Sequence, residues 1–64
     1  MAEIEQIELQ RQRGQLAGDV SRLVEKYRAI FDWDVPDIDQ TAADRLILAE
    51  VRKALDAIEA RLLG

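Results

Sequence analysis

Histidine and cysteine, the side chains that most often act as general bases, thiol nucleophiles and zinc ligands, are both missing from this 64-residue chain. What remains for chemistry is a set of carboxylates with Tyr27, Lys26, Lys53, Ser21 and Thr41. The carboxylates are densest in Asp32-Trp33-Asp34-Val35-Pro36-Asp37-Ile38-Asp39, four aspartates in eight residues. Clustered carboxylates suit a hard cation, but a calcium loop of the helix-loop-helix kind needs glycine at its sixth position and glutamate at its twelfth. Counted from Asp32, those positions hold Asp37 and Ala43, and Pro36 occupies the fifth, ligand-bearing one. The run therefore reads as a solvated turn with helix caps, Asp39 among them. No glycine-rich phosphate loop is present, and a chain this short forms no pocket wide enough for paired-carboxylate catalysis. The expectation is a protein without catalytic, cofactor-binding or metal-binding residues, and not an enzyme.

Recognition chemistry is better represented. Tyr27, Phe31 and Trp33 fall within seven residues. They either close one end of a core or form an interface hot spot, and Trp33, flanked by Asp32 and Asp34, is the candidate exposed anchor. Arg11, Arg13, Arg22, Lys26 and Arg28 collect in the first half of the chain, which raises nucleic-acid binding. Asp19, Glu8 and Glu25 are interleaved with them, at spacings such as Asp19 to Arg22 and Arg22 to Glu25 that form ion pairs on a helix. With 13 acids against 9 bases and a net charge of -4, a solvated, salt-bridged face is the better reading.

The elements that carry these residues follow from periodicity. Pro36 forces Val35 into an extended conformation, and the aspartates around it compete for backbone hydrogen bonds, so the chain divides there. Before the break, Leu16, Val20, Leu23, Tyr27 and Ile30 step by four and three, the spacing of a coiled-coil or bundle seam. Extended backwards, the seam meets Arg13, Leu9 and Gln6 and weakens. After the break, Leu48, Val51, Leu55, Ile58 and Leu62 repeat the pattern, and Thr41-Ala42-Ala43-Asp44 resembles a capping box. The spacing predicts helices over residues 3–31 and 42–63 joined by an acidic turn at 32–40, one domain spanning 1–64. An all-α antiparallel hairpin follows. Two helices alone bury too little surface to offset the ordering of the chain, so two copies are expected to pair into a four-helix bundle, a homodimer. Alanines 42, 49 and 60 form a further strip where another helix can approach.

Ile4 and Ile7 break this pattern, because a continuous first helix places them opposite the seam with Arg11, Gly14 and Gly18. Either Gly14 bends the helix and turns the isoleucines inward, or these residues form a second contact surface. The candidate partner interface is thus Ile4, Ile7, Arg11, Gly14, Gly18, Trp33 and Asp34. The expected function is a protein–protein interaction module, a regulator, adaptor or inhibitor of a larger protein, of the kind bacterial accessory loci and phages encode. The alternatives are an RNA-binding hairpin dimer using the basic residues of the first helix, and a purely structural assembly module. The longest apolar run, Leu46-Ile47-Leu48-Ala49, is too short to span a bilayer, and the first residues have no secretory pattern, so a cytoplasmic protein without membrane contact is expected.

Overall fold

The computed structural model describes residues 2–64 and contains two helices, α1 (Ala2–Asp34) and α2 (Gln40–Leu63), packed against each other as a hairpin. Met1 lies outside the described residues. At 1.5 Å per residue α1 is about 50 Å long and α2 about 36 Å, and the molecule measures 51 × 26 × 15 Å. α1 therefore continues roughly two turns past the end of α2.

Both inner boundaries differ from the sequence reading. α1 runs to Asp34 rather than ending at residue 31, because Pro36 restricts only the residue before it. Asp32 to Asp34 keep helical geometry, and the Val35 N–H still donates to the Phe31 carbonyl at 3.0 Å. Trp33 and Asp34 thus belong to the last turn of α1 rather than to a loop. The reversal is made by Val35–Asp39, with Asp37 at φ 55°, a left-handed conformation that aspartate tolerates better than most residues. At the start of α2 the cap is Asp39, not Thr41. Its Oδ1 accepts from the Ala42 N–H at 3.1 Å while its carbonyl accepts from the Ala43 N–H at 2.9 Å. Thr41 already lies inside the helix, and Asp44 is freed from any capping duty.

Burial is confined to the loop end. Ala43 and Ile47, 4% and 6% exposed, are the two buried residues among those described. Val24, Arg28 and Phe31 of α1 and Val51 of α2 are partly covered. The seam expected to be the hairpin core is otherwise open: Leu16, Val20, Leu23, Tyr27, Ile30, Leu48, Leu55, Ile58 and Leu62 are all at least 40% exposed. Successive residues turn by 100° on a helix, so Val24, Arg28 and Phe31 sit about 80° round α1 from the centre of its seam. α2 packs on that flank. The α1 seam is covered on one side only, with Leu23 and Tyr27 facing an open groove beside α2, which is why a hairpin with the expected pattern leaves the pattern uncovered.

Candidate functional site

An open groove of about 500 Å³ lies between the helices. α1 supplies Leu23, Tyr27 and Phe31, one turn apart along the helix, and α2 supplies Ile47, Val51 and Ile58 with Leu46, Ala54 and Leu55 beside them. Glu50 is the charged residue in its wall, and its carboxylate faces Lys53 at 3.6 Å on the solvent side. Leu48 and Leu62, expected in the same seam, do not line the groove. α2 meets α1 through Ala43 and Ile47, so its facing line starts one position earlier than the seam and turns Leu48 aside. Leu46 and Glu50 lie outside the residues that the sequence pattern singled out, whereas Phe31, expected to close one end of a core or to join a hot spot, lines the groove. The available signal was asymmetry: apolar Ala17, Val24 and Phe31 flank one side of the α1 seam, and Asp19, Lys26 and Trp33 flank the other.

One polar strap crosses between the helices at the loop end. The Arg28 Nε donates to Asp44 Oδ1 at 2.9 Å, the Arg28 Nη1 donates to both Glu25 oxygens at 2.8 and 3.0 Å, and the Gln40 Nε2 donates to Asp44 Oδ1 at 2.8 Å. Asp44 is held below the usual carboxylate range, first by the Gln40 hydrogen bond and then by Arg28, with desolvation opposing both. The Arg28 guanidinium is pushed up, by Glu25 first and Asp44 second. Glu25 thus serves Arg28 and not Arg22, whose partner is Asp19; Asp19 also accepts from Gln15 at 2.9 Å. Lys26 lies over the Tyr27 ring, 5.5 Å from its centre. Two of the bases that suggested phosphate contacts, Arg22 and Arg28, are therefore occupied by acids of the same helix.

The remaining candidates sit elsewhere. α1 is unbroken through Gly14 and Gly18, so the isoleucines are not turned inward. Ile4 and Ile7 stay on the side opposite the seam, 75% and 58% exposed, and line a shallow hollow of about 160 Å³ with Glu8 and Arg11. A methyl group built on Gly14 would meet nothing within 4 Å, and one on Gly18 would meet Arg22 Nη1 at 3.8 Å. Alanines 42, 49 and 60 are exposed. Trp33 is 89% exposed at the opposite end of α1 from Ile4 and Ile7, with Asp34 beside it. The candidate partner residues are thus not one patch but two, separated by most of the length of α1. Among the described residues no three acids converge into a cation-sized cluster, and no helix is long and apolar enough to cross a membrane.

No protein-family model, no curated protein and no solved structure matches this chain. Its function is argued from the open groove and the two end patches.

Proposed function

We propose that the chain is a non-enzymatic protein–protein interaction module that pairs with itself through the open groove, as a dimeric four-helix bundle, and uses its end patches to regulate, adapt or inhibit a larger protein. One observation carries this reading. The hairpin exposes 5831 Å², whereas a compact folded monomer of its 7.3 kDa mass exposes about 4,200 Å². The excess of about 1,600 Å² per chain amounts to about 3,200 Å² across a pair, within the range of obligate homodimer interfaces. Much of the open surface is leucine, isoleucine, valine and aromatic side chain in register along both helices. Exposed apolar stretches of that extent mark a contact surface.

The end patches support the second half of the reading. Trp33 is the kind of residue that dominates interface energetics, and it stands clear of the groove. Sedimentation equilibrium over a range of concentrations tests the self-pairing: a reversible monomer–dimer distribution is expected. A well-folded monomer with a sharp melt at micromolar concentration overturns it. For the larger partner, Trp33→Ala and the pair Ile4→Ser/Ile7→Ser should weaken capture while helicity and dimer size stay intact. Tight RNA binding that falls steeply with salt and disappears in Arg22→Glu would instead favour a nucleic-acid role.

A further inference from the structure

Stacking one open groove on another with two-fold symmetry allows two settings. With the axis along the helices, both loops lie at one end and each α1 closes onto the other copy's α2. With the axis across the helices, the loops lie at opposite ends and α1 packs on α1. We propose that the second copy takes the crossed setting, α1 antiparallel on α1, with Asp19 of each copy beside Lys26 of the other. This rests on the dimer reading above and adds its orientation and register.

Three observations favour it. The first is charge: Asp32, Asp34, Asp37 and Asp39 are all exposed at the loop end, and no base lies in the last turn of α1. Loops at one end would gather eight such carboxylates, of which only the two capping Asp39 side chains meet a helix N-terminus, and Asp32 and Asp34 already oppose the helix dipole. The crossed setting parts the two tips. The second is the openness of the α1 seam, whose residues from Leu16 to Ile30 stay at least 40% exposed beside α2. In the crossed setting it meets an identical apolar seam, whereas the other setting closes it onto the groove side of α2, where Glu50 sits.

The third observation fixes the register. Asp19 and Lys26 flank the same side of the seam, seven residues apart. A two-fold axis crossing α1 between residues 21 and 22 brings each Asp19 within about two residues, ~3 Å along the helix, of the other copy's Lys26, the flanking ion pair that sets coiled-coil orientation. The seam is then self-complementary, with Val20 opposite Leu23 and Leu16 opposite Tyr27.

The chain has no cysteine, so Asp37→Cys carries one nitroxide label per copy. Pulsed electron–electron resonance should give a label-to-label distance of about 35–40 Å, from the roughly twelve residues between the axis and each helix end at 1.5 Å apiece, doubled. A distance under about 20 Å, with the protein still dimeric, overturns the crossed setting and leaves the dimer standing; neighbouring helices lie only 8–10 Å apart. Sedimentation as a monomer at every concentration overturns both. The register has its own test by charge exchange. Asp19→Lys and Lys26→Asp should each weaken dimerisation about tenfold, and the two together should restore it to within about twofold. A double variant no better than either single one overturns the pairing.

Discussion

The loop-end third of the hairpin and its far half carry the same apolar spacing but have different fates. Near the loop, Ala43 and Ile47 are buried, Asp39 caps α2, and Arg28 is strapped to Asp44 across the helices. Away from it, Leu16, Leu55 and Leu62 are 53%, 56% and 69% exposed, although each sits on an equally regular seam. Heptad spacing specifies that a face is apolar. It does not specify what covers that face. Where the turn holds the helices together locally they cover one another, and beyond it the same pattern stays open.

The sharpest way to break the comparison is to truncate a residue in each region. Ile47→Ala should lower unfolding free energy by about 2–5 kcal/mol, through lost burial and the cavity it leaves. Leu63→Ala, at an 82% exposed position outside the seam, should change it by less than about 0.5 kcal/mol. Urea titrations of both at one protein concentration check this, and equal losses would remove the distinction between the two regions. Leu23→Ala sharpens it further: the loss expected in the dimer is about 2–5 kcal/mol, far above what its 44% exposure in a lone hairpin would imply.

Next in size is the cap. Asp39→Ala should lower stability by about 1 kcal/mol, since the Ala42 amide loses its acceptor. The same substitution at Thr41, which caps nothing, should be nearly silent. In the far half the opposite sign is expected for Gly14→Ala, a gain of about 0.5–1 kcal/mol, because a methyl group there meets open space. Thermal melts at fixed concentration measure both. A loss at Gly14→Ala would show that another helix packs closely on that glycine.

The smallest effect belongs to the strap. Asp44 has its carboxyl held down in the folded chain, so its contribution is fully present above the ordinary aspartate value of about 3.9 and is lost as pH falls through the lowered value. Melting temperature in wild type should therefore drop below about pH 4 by more than in Asp44→Asn. Parallel acid limbs in the two proteins would show that the strap adds nothing.

How far the sequence discloses this arrangement differs from residue to residue. The two helices, their antiparallel turn and Asp39 as a cap are legible because proline, clustered aspartate and three-four spacing act locally. The extension of α1 through Trp33 is less so. Aspartate is a poor helix former, but the backbone ladder carries Asp32 and Asp34 as far as Pro36 permits. The side of the α1 seam that meets α2 was missed, because an apolar stripe is read by its centre and packing here occurs on its flank. The Arg28–Asp44 strap was missed for a related reason: it joins residues sixteen apart, and its partners meet only once the register of the two helices is known. For the candidate site, exposure of Ile4, Ile7 and Trp33 follows from their position off the stripe. Their separation into two patches follows only from α1 being straight through Gly14.

A two-residue core also bears on how much of the protein a cell can keep. On the proposed self-pairing, the chain is open to proteolysis when dilute and protected when abundant, so its lifetime would rise with its own concentration. Supply of the chain then acts as a threshold: below it newly made molecules are cleared, and above it they accumulate as pairs.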